Sequence, residues 1–332
     1  MIIVVGATGY VGRYLCPYLS KEGYDVLALG NSEKGQHFLE EHGIRFQRMN
    51  LLDEEPFKHI TTGDVEAIVD LAACLAEIDT PVQRFFDVNT IGVYKTLEFA
   101  HKNGIKRVIV TSTHKLYNNV ESEFISEKDL VSFSGNHSPY IISKLAAEKF
   151  VEYYNSEFGM NGIVLRLTGV HGYGELLGHL EKDGSYNKST FELFFEKILR
   201  GETIEVWGDQ TIKRDHIYIK DVLSAIKAAI IHSNANGIFN IASGRGYSQY
   251  DEARALAVVF GGKAKSEIVL RPEKQGLTRG YVYDISKARS ELEWNPEYVD
   301  ILEMLKDYKK EWITKEYHNF HIINSEDRPA TL

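Results

Sequence analysis

Apolar residues in the first 168 positions of this chain form short runs that are separated by longer, helix-like stretches. The runs are rich in Val, Ile and Leu and predict buried strands, while the stretches between them predict helices. Strands are expected at residues 2–5, 25–29, 45–47, 67–71, 108–111 and 163–167, and helices at residues 10–22, 36–42, 82–102 and 140–158. This alternation predicts an α/β fold, a doubly wound parallel sheet with helices on both faces.

A glycine-rich turn directly follows the first predicted strand. Gly6, Gly9 and Gly12 stand three residues apart, and the helix at residues 10–22 begins within the turn. Such glycines permit a sharp turn, close approach of a phosphate to backbone N–H groups, and tight packing of helix on strand. Because the pattern follows a strand and opens a helix, it predicts a Rossmann-type pyrophosphate seat rather than an ordinary βα turn.

The pattern changes after about residue 168. Residues 171–189 are loop-like and rich in glycine, and the rest of the chain predicts shorter helices and strands. We therefore predict a dinucleotide-binding domain of residues 1–168 plus about 214–244. A smaller, mixed α/β substrate lobe is expected at about 169–213 and 245–332.

Composition narrows the classes of partner and compartment. The formal charge of −9 argues against nucleic acid or an anionic membrane as the main partner. Cys16 and Cys74 are the only cysteines, so neither a disulfide framework nor a cysteine-rich zinc site is expected, and no other spacing suggests a metal. No apolar run approaches the roughly 18 residues of a membrane span, and the first one leads straight into glycines, unlike a signal peptide. A cytoplasmic protein is expected.

Tyr140 and Lys144 form the main candidate for proton transfer. Pro139 suits a helix start, which places the two side chains four residues apart on one helical face. A nearby ammonium would lower the pKa of the tyrosine from its usual value of about 10, so the pair could exchange a proton with an alcohol. An exposed Tyr/Lys pair is the ordinary alternative. Thr113, just beyond the strand at 108–111, is placed to polarise a substrate oxygen.

Together these motifs resemble the extended short-chain dehydrogenase/reductase family, which contains the nucleotide-sugar epimerases and dehydratases. The resemblance extends over nearly the whole chain, and its motifs occur in the family's order and spacing. It also rests on residues 50–53 (Asn-Leu-Leu-Asp), on residues 71–73 (Leu-Ala-Ala), on Asn89, and on residues 208–221. In this chain Asp70 stands where the family usually has a histidine.

The resemblance implies three groups of site residues and no metal. The catalytic residues would be Thr113, Tyr140 and Lys144. The substrate would be bound by His114, Gly169, His171, Arg214 and Arg271. The cofactor would be bound by Gly6, Thr8, Gly9, Tyr10, Val11, Gly12, Asn31, Ser32, Asn50, Leu51, Leu71, Ala72, Ala73, Asn89 and Lys144.

Three departures from the family pattern narrow the expected chemistry. Dehydratases of the family carry Asp-Glu directly after the catalytic threonine, but this chain has His114 and Lys115, which argues against a 4,6-dehydratase. Gly169 replaces an asparagine that usually contacts the substrate phosphate. His171 takes the position of a tyrosine.

The expected substrate is a nucleotide-diphosphate sugar. Hydride transfer would occur at a sugar carbinol carbon, in a 4-epimerase or in a keto-sugar reductase. Arg214 and Arg271 resemble the family's diphosphate ligands, and arginine suits bidentate phosphate contacts, although surface salt bridges would explain both. A reductase of small apolar ketones and a non-catalytic dinucleotide-sensing regulator are the alternatives. The intact Tyr-x-x-x-Lys pair argues against the regulator.

The segment after the second predicted strand bears on cofactor choice. It contains no acid before Glu33, whereas NAD-selective sites usually place one near this point. Asn31, Ser32 or Arg13 could donate to a 2′-phosphate, which favours NADP(H) over NAD(H).

A homodimer is also expected. The helices at 82–102 and 140–158 carry apolar residues beyond the needs of one buried face, and in the resembling family these helices pair across a two-fold axis. The residues concerned are Phe85, Phe86, Val93, Leu97, Phe150, Val151 and Tyr154.

Overall fold

A seven-stranded parallel sheet forms the centre of the protein. The structure is a computed structural model, and it describes residues 1–75, 80–131, 137–174, 178–180, 186–262 and 265–317. The strand order is β13-β7-β5-β4-β1-β2-β3, with every neighbouring pair parallel. Its strands are β1 (Ile2–Val5), β2 (Val26–Gly30), β3 (Arg45–Arg48), β4 (Ala67–Asp70), β5 (Val108–Thr113), β7 (Ile163–Leu167) and β13 (Gly237–Ile241).

Helices cover both faces of this sheet. Alternate residues of β1 enter different apolar clusters, with Ile2 and Val4 on one face and Ile3 and Val5 on the other. The helices are α1 (Tyr10–Lys21), α2 (Glu33–Glu41), α3 (Val82–Phe85), α4 (Gly92–Lys102), α5 (Pro139–Phe158), α6 (Thr190–Arg200), α7 (Ile219–Ile231), α8 (Gln249–Phe260), α9 (Ser286–Glu291) and α10 (Ile301–Thr314). The predicted doubly wound α/β fold is confirmed.

In the described part of the chain, short strands outside the large sheet form four small sheets, which we call the smaller lobe. The three-stranded sheet β14-β12-β8 comprises β14 (Gly246–Tyr247), β12 (Arg214–Tyr218) and β8 (Gly169–His171). The two-stranded pairs are β11 (Ile204–Trp207) with β15 (Ile268–Arg271), β9 (Gly178–Leu180) with β10 (Tyr186–Lys188), and β6 (Phe124–Ile125) with β16 (Val282–Tyr283). Because β12 pairs with strands of this lobe, the predicted domain boundary at about 214 cuts through one small sheet.

The long helix predicted at residues 82–102 is interrupted. A π-helical turn, Phe86–Ile91, separates α3 from α4. Such a turn inserts one residue into the helical repeat and is common at functional sites. It lies beside α5 and contains Asn89.

The residues on which the dimer expectation rested are mostly core residues of a single chain. The prediction that they form the interface is wrong for five of the seven, which are buried within the protomer: Phe85, Val93, Leu97, Val151 and Tyr154. The exposed apolar residues of the same helices are different ones: Val82, Ile91, Tyr94, Ile142, Tyr153 and Phe158. Among the described residues, no helix is long and apolar enough to cross a membrane.

Candidate active site

The glycine turn after β1 has no room for side chains at two of its positions. Gly6 has a φ of +75°, and a Cβ there would lie 2.7 Å from the backbone nitrogen of Ala72. A Cβ at Gly12 would lie 2.5 Å from the carbonyl oxygen of Ala7. The turn therefore packs directly against the end of β4 and against the start of α1.

The N-terminus of α1 is open to an anion. Gly9 is its N-cap and supplies no side-chain hydrogen bond, so the N–H groups of the first turn stay available at the positive end of the helix. Tyr10 and Val11 begin this turn. At the carboxyl end of β5, the buried hydroxyl of Ser112 has no hydrogen-bond partner among the described residues. The open N-terminus of α1 fits the pyrophosphate of a dinucleotide cofactor.

Thr8 fills the space at the end of β2. A Cβ at Gly30 would lie 2.7 Å from both Oγ1 and Cγ2 of Thr8, and one at Gly35 would lie 2.5 Å from the Thr8 Cβ. Thr8 therefore packs the glycine turn against β2 and α2. Beyond β2, Asn31 is exposed, and Ser32 caps α2 by accepting a hydrogen bond from the Gly35 N–H.

Hydrogen bonds to the side chains of Asp70 and Asn89 fix the segment that follows β4. Asp70 is buried; its carboxylate accepts hydrogen bonds from the Ala72 N–H at 3.0 Å and from the Thr96 hydroxyl at 2.7 Å. Asn89 accepts from the Cys74 N–H at 2.7 Å, and its amide donates to the Cys74 carbonyl and to the Ser143 hydroxyl.

Asn89 was predicted to contact the cofactor. Its side chain is fully buried and hydrogen-bonded at both ends, so the structure gives it a positioning role. It fixes the segment that contains Leu71, Ala72 and Ala73, of which Ala73 is exposed. Two other residues expected to bind the cofactor, Asn50 and Leu51, follow β3. Asn50 is partly exposed, and Leu51 is buried, with its carbonyl accepting a hydrogen bond from Lys95 at 3.0 Å.

The catalytic candidates meet at the carboxyl end of β5. Ser138 caps α5 and Pro139 is its first residue, which starts the helix just before Tyr140. The Thr113 hydroxyl, at the end of β5, hydrogen-bonds the side chain of Tyr140. One helical turn later, Lys144 donates to the Thr111 carbonyl at 2.9 Å. The structure thus brings together all three predicted residues.

Burial sets the pKa values of this group. Burial raises the pKa of Tyr140, and the hydrogen bond with Thr113 opposes that rise. Burial lowers the pKa of Lys144 to about 8, while the charges of Asp70 and Glu148 act in the other direction. The pKa of Tyr140 was expected to fall under the influence of Lys144, but the net shift is upward because desolvation is the largest effect, and Lys144 is not among its causes.

A buried polar network behind α5 was not predicted. Arg166 on β7 makes two hydrogen bonds with the Glu148 carboxylate, at 3.0 and 2.6 Å. It also donates to the Tyr117 hydroxyl at 2.7 Å, and that hydroxyl donates to Asn240. The signal in the sequence was an arginine within an apolar strand, since a buried charge needs a partner. The network ties α5 to β7 and β13.

The imidazole of His114 contacts Tyr283 on β16. Its Nδ1 lies 2.9 Å from the hydroxyl of Tyr283, and burial, with the charges of Lys115 and Arg214, lowers its pKa to about 3. It is therefore neutral and hydrogen-bonded within the lobe. Lys115 is exposed, with its Nζ 6.0 Å from the ring centre of Tyr140.

The substrate candidates separate into two places. Gly169, His171 and Arg214 line a cavity of about 350 Å³ in the smaller lobe, together with His216. Arg271 is not among the described residues that line it. Its Nε instead lies 3.1 Å from a carboxylate oxygen of Glu205, and about 43% of its side chain is exposed. The expectation that Arg214 and Arg271 share one diphosphate site is not supported by this geometry.

Comparison with known proteins places the chain in a family. Residues 2–242 match the model of the NAD dependent epimerase/dehydratase family. A putative UDP-glucose 4-epimerase of Methanocaldococcus jannaschii is 27% identical over 314 residues, which cover 92% of this chain and 96% of the relative.

Solved structures agree with this assignment. The UDP-glucose 4-epimerase of Thermotoga maritima, solved with UDP-glucose, is 27% identical with a TM-score of 0.73, covering 94% of this chain and 99% of that one. The fold is also shared with a UDP-glucuronic acid 4-epimerase of Bacillus cereus in complex with NAD, which is 23% identical with a TM-score of 0.72 and covers 93% of this chain and 98% of that one.

The expected preference for NADP(H) finds no support. The matching family is described as NAD dependent. Arg13, one of the three proposed donors to a 2′-phosphate, is fully buried in α1. The chain belongs to the NAD dependent epimerase/dehydratase family.

Proposed function

We propose that this protein is a UDP-hexose 4-epimerase that uses NAD(H). The observation that carries the proposal is the grouping of Thr113, Tyr140 and Lys144 at the sheet edge that also presents the glycine turn. The names of the similar proteins, which are UDP-glucose 4-epimerases from several organisms, supply the substrate class.

Each of the three residues has a distinct task in this proposal. The Tyr140 phenolate takes the proton of the C4 hydroxyl during oxidation, and the phenol so formed returns it during reduction. Thr113 hydrogen-bonds the same oxygen and orients it. Lys144, which donates a hydrogen bond to the Thr111 carbonyl, would bind the ribose of the nicotinamide. The bound nicotinamide would supply the hydride acceptor and donor.

The glycine turn and the ends of β2 and β4 would hold the cofactor. Gly6, Gly9 and Gly12 leave the α1 N-terminus open to the pyrophosphate. NAD(H) is favoured over NADP(H) because the matching family is NAD dependent and because Arg13, a proposed donor to a 2′-phosphate, is buried.

Two features favour a 4-epimerase or reductase over a dehydratase. The residues after Thr113 are a neutral His114, hydrogen-bonded to Tyr283, and an exposed Lys115, so neither carboxylate of the dehydratases is present. A keto-sugar reductase would use the same three residues. Measurement of net epimerisation without net cofactor reduction separates the two.

The cavity supports a nucleotide sugar over a small apolar ketone. Apolar residues such as Leu277 and Met304 form part of its lining, but Arg214 also lies there, and a guanidinium suits a diphosphate better than an apolar carbonyl compound. We assign Arg214 to the diphosphate. Arg271 would join it only after exchanging its pairing with Glu205 for the substrate.

We further propose a homodimer and a cytoplasmic location. The dimer would pair α4 and α5 across a two-fold axis, through their exposed apolar residues. The location is supported by the cysteine content, because two cysteines in 332 residues are too few for the disulfide framework that is common in oxidising compartments. Recovery in a membrane or secreted fraction would contradict the location.

Turnover of UDP-hexoses tests the proposed function. With NAD⁺, the protein should convert UDP-galactose to UDP-glucose, or the N-acetylated or acidic counterparts, without net NADH formation. Tyr140→Phe should lower turnover by roughly 10²–10⁴-fold, because general acid–base groups contribute that much, while NADH binding is retained.

Tyr153→Phe is the matched control, since Tyr153 is an exposed tyrosine on the same helix, and it should keep wild-type turnover. Near-full turnover by Tyr140→Phe would refute the catalytic assignment. Absence of any UDP-hexose turnover by the wild type would refute the function.

A further inference from the structure

One wall of the cavity in the smaller lobe is a face of the β14-β12-β8 sheet. The strands β8 and β12 are parallel, and His216 is the register partner of Gly169. Residues two apart on a strand share a face. Arg214 and His216 on β12 therefore lie on one face with Gly169 and His171 on β8, and all four line the cavity.

The imidazole of His216 occupies the space of a side chain at position 169. A Cβ built on Gly169 would lie 2.8 Å from Nδ1 of His216, which is closer than such atoms approach in proteins. No larger residue fits at 169 unless the imidazole moves. The resembling family has an asparagine at the position of Gly169, so here an imidazole replaces an amide at the same point of the wall.

One ring nitrogen of His216 has no hydrogen-bond partner among the described residues. It is Nδ1, and it is buried. Burial, together with the nearby His171, His114 and Arg214, lowers the pKa of His216 well below its usual value, so the ring is neutral. A neutral imidazole carries one N–H, and a buried polar atom without a partner costs stability until a ligand supplies one.

The cavity lining carries charges of both signs, so an anionic ligand needs specific hydrogen bonds as well as overall attraction. Arg214 supplies a cation, but Glu252 also lines the cavity, so the wall is not uniformly positive. The ring centres of His171 and His216 are 4.7 Å apart at an interplanar angle of 69°, so the two imidazoles pack edge to face. A single oriented N–H beside Arg214 suits an anionic oxygen.

We propose that His216 donates a hydrogen bond from Nδ1 to a diphosphate oxygen of the nucleotide sugar, in place of the family asparagine, and that Gly169 makes room for its ring. The assignment rests on the proposed function, because it takes the ligand to be a nucleoside diphosphate. It makes His216 and Gly169 a coupled pair, because the imidazole leaves no room for an asparagine side chain at position 169.

A residue exchange tests the coupling, with UDP binding measured by calorimetry. His216→Phe should weaken UDP binding by roughly 10- to 150-fold, the range for a lost hydrogen bond to a charged group. Gly169→Asn alone should also weaken it, because the new side chain meets the imidazole. The double variant Gly169→Asn/His216→Ala should regain most of the affinity, because alanine removes the ring that meets the new side chain and leaves the asparagine amide as the donor. His37→Phe, which changes an exposed histidine on α2, should bind UDP as the wild type does.

The possible outcomes separate this inference from the proposed function. If the wild type does not bind UDP, the proposed function fails. If the wild type binds UDP and His216→Phe binds equally well, only the assignment of His216 fails. Failure of the double variant to exceed both single variants also overturns the coupling.

A measurement on the wild type covers the case in which a variant does not fold. With ¹⁵N-labelled imidazoles, UDP should shift the Nδ1 resonance of His216 and leave it protonated at Nδ1. An unchanged resonance at saturating UDP would overturn the assignment.

Discussion

Lys144 carries an ammonium group at a position where only 3% of the residue is exposed to solvent. Its partners are a backbone carbonyl at 2.9 Å and the more distant charges of Asp70 and Glu148. These do not offset the loss of hydration, so the pKa falls to about 8 from an ordinary value of 10.5. Asp70, which replaces the family histidine, supplies part of the negative charge that limits the fall in the pKa of Lys144.

This burial predicts a pH-dependent stability difference. Between about pH 8 and pH 10.5 the unfolded chain binds more protons at Lys144 than the folded chain does, so its contribution to the free energy of unfolding rises with pH. The rise should total about 3 kcal/mol across that range. Lys144→Met should remove it, which urea unfolding of both proteins at a series of pH values would measure.

The wild type and Lys144→Met are compared by the slope of their free energies of unfolding against pH. The absolute values are not compared, because Lys144→Met also removes the hydrogen bond to Thr111. Lys149→Met, a change of an exposed lysine on the same helix, should leave the slope unchanged. Parallel pH profiles for the wild type and Lys144→Met would show that the ammonium is not desolvated.

The elements that bear the site are positioned by two local irregularities. The turn at Gly6 needs a positive φ and a backbone contact with Ala72, which joins the ends of β1 and β4. The π-helical turn Phe86–Ile91 places Asn89 where it can hold both backbone groups of Cys74. Both irregularities fix the rim of the proposed cofactor site and not the sheet itself.

The conformation of the turn at Gly6 leads to a prediction about cofactor binding. Nicotinamide fluorescence titrations should show that NADH binds more tightly than NADPH. Gly6→Ala should lose most binding of NADH, because a methyl group at a φ of +75° would meet the backbone of Ala72. Gly63→Ala is the control, since a Cβ there meets open space, and it should bind NADH normally. Tighter binding of NADPH would overturn the choice of NAD(H).

At the scale of the whole molecule, α5 has apolar residues on two faces. Ile141, Ala147, Val151 and Tyr154 are buried in the protomer, whereas Ile142 and Tyr153 are exposed. Tyr94 on α4 contacts Phe150 on α5, with ring centres 5.5 Å apart, so the outer faces of the two helices adjoin. An exposed apolar surface on paired helices suits an isologous interface with a second copy.

Light scattering should therefore give a mass twice that of the 37.7 kDa chain. Ile142→Glu should shift the protein towards the monomer, because the carboxylate would be buried without a partner. Val258→Glu makes the same change at an exposed position of α8 and should leave the mass unchanged. A wild-type monomer at micromolar concentration would contradict the dimer.

The sequence by itself determined the features that depend on neighbouring residues. Strand and helix periods identified the parallel sheet, and the glycine spacing identified the turn after β1, because these patterns are local. Tyr140 and Lys144 could be paired for the same reason, since a helix brings residues four apart to one face.

Only the tertiary structure decided how distant segments meet. It placed His216 over Gly169, paired Arg271 with Glu205, and buried five of the seven apolar side chains that the sequence had offered as interface residues. It also raised the pKa of Tyr140, which the sequence alone had predicted to fall. The physical reason is common to these cases: desolvation and side-chain contact depend on what the rest of the chain packs against a residue, and no local pattern carries that information.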